Sequence, residues 1–289
     1  PFTLPAADLA LELARSTDHA TDRLWLPARE LGATLLVDRV SRLVCDVERF
    51  VDDRDEAWNA ARGRGAVYTR TEDGRPLRPG LAEAQRRDLL ARFHAPWHAA
   101  LADLADAMLA RWDVCWLVDA HSFPHEPLGC ESDPLPGARP QIDLGWDDQH
   151  TPPEVRGPLV ALWRSHGFTV TEQRPFAGSM VPGRHLGRDL RLRTVMVEID
   201  RAVYLDEPAL LDTAPAQVEA ALAAEGPGLA EGPGAGMADA PGHPGAVGPQ
   251  LLDATAHLRP GGVTRLAAGI TEMVRWLAMR PADAAPHDP

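Results

Sequence analysis

A chain of 289 residues that is 45% hydrophobic is long enough to form one large domain, or two small ones, around a sizeable core. Its formal net charge of −13, from 42 acidic residues against 29 Lys and Arg residues, argues against a surface for nucleic acid or for anionic membranes. The three cysteines lack CxxC spacing and are typical of reduced thiols, and neither a signal peptide nor a membrane-spanning apolar run is visible. We therefore expect a cytoplasmic protein.

The first 32 residues predict two helices. Residues 6–14 have helical apolar spacing, and an N-cap cluster at 16–18 predicts a second helix that ends at Gly32. Asp18 and Asp22 lie four residues apart on this second helix, so both carboxylates would point the same way. Acidic residues near a helix N-terminus commonly complement the helix dipole, which is the simpler explanation for both.

Two apolar segments, 34–37 and 43–47, are candidate strands. Asp46 interrupts the second segment and would need a partner if it is buried, so an ion pair with a nearby Arg is the expected explanation. Arg49 follows the same segment, where a guanidinium is either part of a surface salt bridge or a clamp for an anionic substrate.

A long loop and a long helical region come next. Residues 50–80 are rich in Gly, Pro and Asp, and a loop of this length is usually functional or disordered. Residues 81–112 have helical periodicity, but Pro96 disfavours an α conformation in the residue before it, so we expect two helices or a kink there. His94 and His98 have a zinc-competent spacing, yet such pairs are more often surface or core-edge groups.

The central feature of the sequence is the stretch 114–122. Its first five residues form the short apolar run of a strand that is covered on both faces. Asp119, His121 and Ser122 then follow where such a strand would end, and ligands of open α/β sheets bind outside the carboxyl ends of the strands. These residues suit a metal or acid–base site, whereas the plainer alternative is that His121 caps the strand or binds a loop carbonyl.

A second buried strand repeats this pattern. Residues 192–199 are predicted to form this strand, and Glu198, Asp200 and Arg201 mark its carboxyl end, where a buried ion pair is the alternative to a functional role. Further elements are predicted as strands at 141–146 and 168–172 and as helices at 152–166, 214–223 and 262–279. The alternation of strands and helices favours an α/β fold, a three-layer αβα sandwich with a mixed, mostly parallel central sheet.

One segment interrupts this predicted domain. Residues 224–249 are a Gly/Pro/Ala tract with little to bury, and we interpret them as a disordered insertion. They separate a core at residues 1–223 from residues 250–289, which are expected to hold a C-terminal helix of the same core and a flexible tail.

The polar segments near the strand ends match a known family. The segments are collinear within residues 15–207 and comprise residues 17–25, 41–49, 68–70 with 73–74, 119–124, 143–147, 175–185 and 197–204. On these segments the chain resembles the N-formylglutamate amidohydrolases, also called N-formylglutamate deformylases. No single segment is decisive, but six or more in register argue against a chance match.

The resemblance implies a fold similar to the zinc exopeptidases and one catalytic zinc, in a site where three protein groups leave a fourth position open. It implies His121 and Asp18 as zinc ligands, with Asp22 as the less favoured substitute for Asp18. Glu198 would be the general base that takes a proton from water and later delivers it to the leaving amine.

The resemblance also implies a substrate class. Arg49 and Arg201 would bind the substrate carboxylates, with Arg42 and Ser122 as further substrate-binding residues. The reaction would hydrolyse the amide bond of N-formyl-L-glutamate, or of a related N-acyl acidic amino acid, and release formate and glutamate. The family further suggests a place in histidine degradation.

One part of the family pattern has no counterpart in these residues. The family usually carries a Pro-His-Ser motif before the segment of Asp18, and its His is expected to bind zinc, but no such motif stands between Pro1 and Asp18. Either the start of the chain is clipped or this ligand is lost. A lost ligand would indicate a catalytically silent relative that binds an acidic small molecule or a protein partner, and an amidase for another acyl group is a third alternative.

Overall fold

The computed structural model describes residues 2–78, 80–131, 139–225 and 252–280. The chain divides into two compact units. Unit 1 consists of Pro1–Thr17, Val40–Pro96 and Glu207–His257, and unit 2 consists of Asp18–Arg39, Trp97–Asp206 and Leu258–Pro289. From residue 226 onward the predicted disordered tract lies outside the described residues, as does the predicted tail from residue 281. The boundaries proposed from composition therefore stay predictions.

Nine α-helices lie within the described ranges. They are α1 (Ala6–Ser16), α2 (Thr21–Leu24), α3 (Leu26–Glu30), α4 (Ala57–Ala61), α5 (Glu83–Leu89), α6 (Ala95–Arg111), α7 (Pro153–Ser165), α8 (Glu207–Glu225) and α9 (Pro260–Ala278). A π-helical turn, Leu90–His94, joins α5 to α6, and short 3₁₀ turns lie at Arg201–Val203 and Thr255–His257. None of these helices is both long and apolar enough to cross a membrane.

Unit 2 is built on a four-stranded mixed sheet. Its strands are β1 (Cys115–Phe123), β2 (Ile142–Gly145), β3 (Val170–Glu172) and β4 (Leu192–Asp200), in the spatial order β1-β4-β2-β3. The pairs β1–β4 and β2–β3 are parallel, whereas β2 and β4 are antiparallel. All nine residues of β4 are buried, because this central strand is paired along both edges. The predicted mixed, mostly parallel sheet is confirmed.

Helices flank this sheet. Apolar side chains of α6 pack on β1 and β4 in a cluster that contains Ala105, Leu109, Cys115, Leu117 and Leu192. Helix α9 packs against α3 and α7, while α7 also contacts β3 and α2 contacts β1. The αβα sandwich that the strand–helix alternation predicts is therefore confirmed.

Unit 1 is formed by helices and loops. Its helices α1 and α8 pack against each other. Apolar residues of α1 also cover a small buried core made of Leu43, Tyr68 and Leu77. The sequence predicts a loop at residues 50–80, and the described residues of this range form a helix only at α4, so most of that prediction is confirmed.

The strands predicted at 34–37 and 43–47 are wrong, because neither described segment joins a strand ladder. In the second segment the backbone turns on itself, since the N–H groups of Val44 and Cys45 donate to the carbonyl of Ser41. Cys45 is fully buried in this turn. The apolar pattern therefore predicted burial correctly. A short apolar segment in a buried turn and one in a short strand have no difference in sequence periodicity, so the pattern could not tell them apart.

The single helix predicted from residue 16 to Gly32 is also wrong. Helix α1 continues to Ser16, and a turn precedes the short helices α2 and α3. Ala20 has a left-handed backbone with φ +56°, which a continuous right-handed helix cannot contain. Asp18 therefore lies outside the helices, just before this turn, and it does not share a helix face with Asp22.

The two helices expected around Pro96 are present as α5 and α6, and a π turn joins them without a break in the helical backbone. Ala95 keeps a regular helical backbone, with φ −62° and ψ −43°, and α6 runs on from it. The preceding turn, Leu90–His94, is a wider π turn instead. Such a turn relieves the conflict between a proline ring and the carbonyl four residues earlier, so the helix continues where a regular one would kink.

Two neighbouring glycines at the start of α9 predict opposite responses to substitution. A Cβ on Gly262 would lie 1.8 Å from the carbonyl oxygen of Val203, whereas a Cβ on Gly261 would meet nothing within 4 Å. We expect Gly262→Ala to lower the free energy of unfolding by about 2 kcal/mol or more, because the backbone must shift to admit the methyl group. Urea denaturation followed by circular dichroism measures the change.

Gly261→Ala is the matched control, since it adds the same methyl group to the same helix. We expect this variant to be unchanged or stabilised by up to about 1 kcal/mol, from the higher helix propensity of Ala. Equal stability of the two variants would contradict the close packing of α9 on the turn after β4.

Candidate functional site

The carboxyl ends of β1 and β4 meet at one edge of the sheet, because the two strands are parallel. Their register sets His121 opposite Glu198 and Phe123 opposite Asp200. Residues that are opposite each other on paired strands point to the same face, so His121 and Glu198 share one face of the sheet. Asp143 of β2 is opposite Glu198 in turn, which brings a second carboxylate to this face.

The carboxylate of Asp18 is held at the end of β1. The Ser122 N–H donates to Asp18 Oδ1 over 3.0 Å, and the Ser122 hydroxyl donates to the same oxygen over 3.3 Å. The other oxygen, Asp18 Oδ2, lies 3.2 Å from His121 Nδ1. The backbone N–H of Ser122 in β1 thus fixes the carboxylate of Asp18, which lies in the segment before α2.

Asp119 lies on the other side of the His121 ring. Asp119 Oδ1 is 2.9 Å from His121 Nε2, and Asp119 Oδ2 accepts the N–H of Met180 over 2.9 Å. The two residues are two positions apart on β1, so their side chains point to the same face. The imidazole of His121 thus lies between two carboxylates. In the neutral ring, a proton on Nε2 is donated to Asp119, and the unprotonated Nδ1 faces Asp18.

The guanidinium of Arg201 reaches the same group of side chains. It is buried, and it donates from Nε to the Ser122 hydroxyl oxygen and from Nη2 to the Ser122 carbonyl, both over 3.3 Å. Arg201 Nη2 also lies 3.9 Å from Asp18 Oδ1. Arg201 therefore offsets part of the negative charge of Asp18, and Ser122 lies between them.

Asp22, the alternative ligand weighed from the sequence, is not part of this group. It lies 3.4 Å from Arg39 Nη1 and accepts the N–H of Arg23 over 2.9 Å, near the start of α2. The contact with His121 is made by Asp18. The structure thus brings Asp18, His121, Ser122 and Arg201 together in unit 2.

Glu198 and Asp143 are both buried within the sheet. Asp143 accepts the N–H groups of Arg174 and Phe176, over 3.2 and 2.9 Å, and the Thr171 hydroxyl over 3.1 Å. Burial raises the pKa of Asp143 to about 6, although these hydrogen bonds oppose the rise. Asp143 therefore ties the segment after β3 to the sheet and changes protonation under mildly acidic conditions.

Asp18 and His121 form a donor set that suits zinc. Zinc accepts carboxylate oxygen and imidazole nitrogen as ligands at roughly 2.0–2.2 Å, so two such ligand atoms on one ion lie a little over 3 Å apart. Asp18 Oδ2 and His121 Nδ1 are 3.2 Å apart. The bond from the other ring nitrogen to Asp119 is the outer contact that metal-binding histidines usually make. These residues fit a zinc ion, and their role as ligands stays a prediction.

Two of the predicted substrate-binding residues, Arg42 and Arg49, belong to unit 1, where they flank a buried carboxylate. This carboxylate, Asp46, accepts the Tyr68 hydroxyl over 2.5 Å and lies 3.8 Å from Arg49 Nε. Burial alone would raise the pKa of Asp46, but the charges of Arg42 and Arg49 and the Tyr68 hydroxyl outweigh burial and hold the pKa below its usual value. The ion pair expected for Asp46 is therefore present.

His94 contacts the backbone of Arg49. Its Nε2 lies 2.8 Å from the Arg49 carbonyl oxygen, and His94 itself is the last residue of the π turn. Sequence spacing indicated only the pair of His94 and His98. The contact of His94 with the Arg49 carbonyl joins residues 45 positions apart, and such a contact leaves no pattern in the local sequence. Asp119 is a second example. The sequence marked it only as a polar residue at a strand end, and it did not predict the contact of Asp119 with His121.

The chain is similar to known proteins. A model of the N-formylglutamate amidohydrolase family matches residues 4–205. The chain belongs to this family. Over 217 residues it is 32% identical to an N-formylglutamate deformylase of Pseudomonas aeruginosa, a match that covers 71% of this chain and 78% of that protein. An N-formylglutamate deformylase of Pseudomonas putida is 28% identical over 211 residues, which cover 69% of this chain and 76% of that protein.

A solved member of the N-formylglutamate amidohydrolase family has the same fold. The crystal structure of an N-formylglutamate amidohydrolase from Ralstonia eutropha JMP134 superimposes with a TM-score of 0.69 at 18% identity. The superposition covers 96% of this chain and 88% of that chain. The resemblance drawn from the polar segments is confirmed, and the amidohydrolase family identifies the chain as a hydrolase.

The buried Asp143 predicts a pH dependence of stability. Its pKa is raised from 3.8 to about 6, so the folded chain holds this proton more tightly than the unfolded chain does. The stabilising contribution is complete below pH 3.8 and is lost as the pH rises through about 6, by on the order of 3 kcal/mol. We expect Asp143→Asn to remove this step from the unfolding free energy, measured by urea denaturation across that range.

Asp148→Asn is the control, because Asp148 carries the same charge on a side chain that is 92% exposed. This variant should keep the wild-type pH dependence. If Asp143→Asn differs from wild type only by a constant offset at every pH, the raised pKa of Asp143 is contradicted.

Proposed function

We propose that the chain hydrolyses N-formyl-L-glutamate, or a related N-acyl acidic amino acid, to formate and the free amino acid. The observation that carries this proposal is the group of Asp18, Asp119 and His121 at the carboxyl end of β1, in a chain that belongs to the N-formylglutamate amidohydrolases. The names of the two bacterial relatives support the choice of substrate.

The proposal includes one zinc ion held by Asp18 and His121. When bound, zinc would act as a Lewis acid toward the formyl carbonyl and would make water a better nucleophile near neutral pH. Catalytic zinc sites usually have three protein ligands, and in the family pattern the His of a Pro-His-Ser motif supplies one of them.

Glu198 is proposed as the general base. It is buried and shares a sheet face with His121, which suits a carboxylate that exchanges a proton with a substrate away from bulk water. Glu198 would accept a proton from water as the new C–O bond forms at the formyl carbon. It would deliver that proton to the amide nitrogen as the C–N bond breaks, so that formate and the amino acid leave.

Asp119, Ser122 and Arg201 would orient the reacting groups. Asp119 fixes the His121 ring through Nε2, and the Ser122 N–H fixes the carboxylate of Asp18. Arg201 would bind a substrate carboxylate with the guanidinium that already contacts Ser122. Each contact limits the rotation of a group whose direction matters for the reaction.

Arg42 and Arg49 stay substrate-binding residues predicted from the sequence. Their planar guanidinium groups suit carboxylates, and an acidic amino acid that carries an N-formyl group has two of these. A cysteine nucleophile is not part of the proposal, since burial raises the pKa of the Cys115 thiol to about 11. The cytoplasmic location and the place in histidine degradation stay predictions from the sequence.

Formate release from N-formyl-L-glutamate tests this reaction. We expect turnover that a chelator abolishes and added zinc restores. Glu198→Gln removes the base with little change in shape, and we expect kcat to fall by about 10² to 10⁴, the usual contribution of general acid–base catalysis. A coupled assay for formate measures both effects.

Glu272→Gln is the control for this variant, because it neutralises a carboxylate that is 58% exposed and pairs with His166. It should turn over substrate at the wild-type rate. Undiminished hydrolysis by Glu198→Gln would contradict the mechanism, and a wild-type chain that releases no formate with zinc present would contradict the reaction. Hydrolysis of other N-acyl amino acids alone would indicate a related amidase, and ligand binding without turnover would indicate a silent relative.

The contact between Asp119 and His121 predicts an effect on metal affinity. Asn has one acceptor oxygen, so in Asp119→Asn either His121 or the Met180 N–H would face an amide donor. We expect the zinc dissociation constant to rise about 10- to 100-fold, as is usual when a group that orients a ligand is lost. Competition with a chromophoric chelator measures this constant without any need for turnover.

Asp148→Asn again supplies the control, since it removes one exposed negative charge from unit 2. Its zinc dissociation constant should equal that of the wild type. An Asp119→Asn variant with wild-type zinc affinity would show that Asp119 does not orient the metal-binding ring.

A further inference from the structure

Arg139 lies at the end of the sheet that carries the proposed catalytic residues. It precedes β2, whose start runs beside the end of β4, since the Asp200 N–H donates to the Gln141 carbonyl over 3.0 Å. Phe123, the last residue of β1, is opposite Asp200 in the sheet. The guanidinium of Arg139 stacks over the Phe123 ring at 4.7 Å and is therefore adjacent to the carboxyl ends of β1 and β4.

The Arg139 guanidinium is buried among aromatic rings and one carboxylate. Its side chain is 4% exposed, and Nη1 donates to Glu131 Oε2 over 2.8 Å. A second ring, Phe176, lies 5.9 Å from the guanidinium carbon and 5.4 Å from the Phe123 ring. Stacking on aromatic faces holds the guanidinium plane while its N–H groups remain available at the edge.

One edge of this guanidinium has no acceptor in the described part of the chain. Arg139 Nε and Nη2 are both buried there without a hydrogen-bond partner. These two nitrogens form the edge with which arginine binds a carboxylate through two parallel hydrogen bonds. Arg191 of the same unit uses this edge on Asp189, from Nε over 2.9 Å and from Nη2 over 2.6 Å.

We propose that Arg139 binds a carboxylate of the substrate or product through its Nε–Nη2 edge. The inference rests on the proposed function for the class of ligand, an acidic N-acyl amino acid or the acidic amino acid that it releases. A buried N–H without an acceptor is unfavourable, and one carboxylate supplies acceptors for both nitrogens. Glu131 and the two phenylalanine rings fix the guanidinium plane in advance, so binding does not have to order the guanidinium.

This end of the sheet is accessible from solvent. His125 has a side chain that is 52% exposed, and its Nδ1 lies 2.8 Å from the buried Asp200 Oδ2. Burial raises the pKa of Asp200, and the hydrogen bond from His125 and the positive charge of Arg139 oppose that rise. The exposed His125 thus contacts a carboxylate whose pKa responds to the charge of Arg139.

Titration calorimetry with glutarate tests the inference without any need for turnover. Glutarate carries the two carboxylates of glutamate and lacks the amine. We expect Arg139→Met to weaken glutarate binding by about tenfold or more, since it removes two charge-assisted hydrogen bonds. Arg139→Lys should also weaken binding, because an ammonium keeps the charge but lacks the planar fork. The titrations use a buffer without carboxylates.

Two further variants separate binding from folding. Arg265→Met is the matched control, because it removes a guanidinium that stacks over Phe168 at 4.2 Å in the same unit, and it should bind glutarate as the wild type does. The double variant Glu131→Gln/Arg139→Met removes both charges of the buried pair, so it leaves no charge unpaired. We expect this double variant to fold and to bind glutarate as weakly as Arg139→Met.

Wild-type affinity in Arg139→Met and Arg139→Lys would overturn the inference, as would a wild-type chain that binds no glutarate. The proposed reaction fails separately, in the formate assay. Arg139-dependent glutarate binding without formate release would leave this inference standing and overturn the reaction. Formate release with an unchanged KM in both Arg139 variants would support the reaction and overturn the inference about Arg139.

Discussion

The parallel pairing of β1 with β4 is the constraint on which the candidate site depends. Side chains alternate along a strand, so a slip of one residue would send His121 and Glu198 to opposite faces of the sheet. The same slip would reverse every side chain of β4, which is buried along its whole length. Core packing and site geometry are therefore fixed by one register, and a substitution that disturbs the core of unit 2 would also disturb the site.

Negative charge is concentrated around one imidazole at this end of the sheet. Asp18 and Asp119 contact His121 from two sides, and Glu198 and Asp143 occupy the next paired positions on the same face. Buried carboxylates of like charge are costly to ionise together, unless a cation or a proton offsets them. Burial raises the pKa of Asp143, which favours its uncharged form, and the proposed zinc would offset the charge of the carboxylate that binds it.

The sequence predicted the four strands correctly as strands, but not the burial of every one of them. β4 is buried along its whole length, whereas seven of the nine residues of β1 are only partly buried, because β1 is an edge strand and not one covered on both faces. The same reasoning failed at 34–37 and 43–47, where equally apolar segments form no ladder. It also located His121, Ser122 and Glu198 at strand ends, but it could not pair Asp119 with His121 or find the open edge of Arg139. Those features depend on which side chains meet in three dimensions, and neither periodicity nor motif spacing records such contacts.

The π turn at Leu90–His94 has a consequence for the comparison of relatives. A π turn holds one residue more than the α turn that it replaces, so it amounts to a single-residue insertion within a helix. A relative whose helix is regular here would align with a gap of one position, and helix faces before and after that gap would differ by roughly 100° in direction. If the alignment omitted this gap, the sequence identity between the two chains would be understated on one side of the π turn.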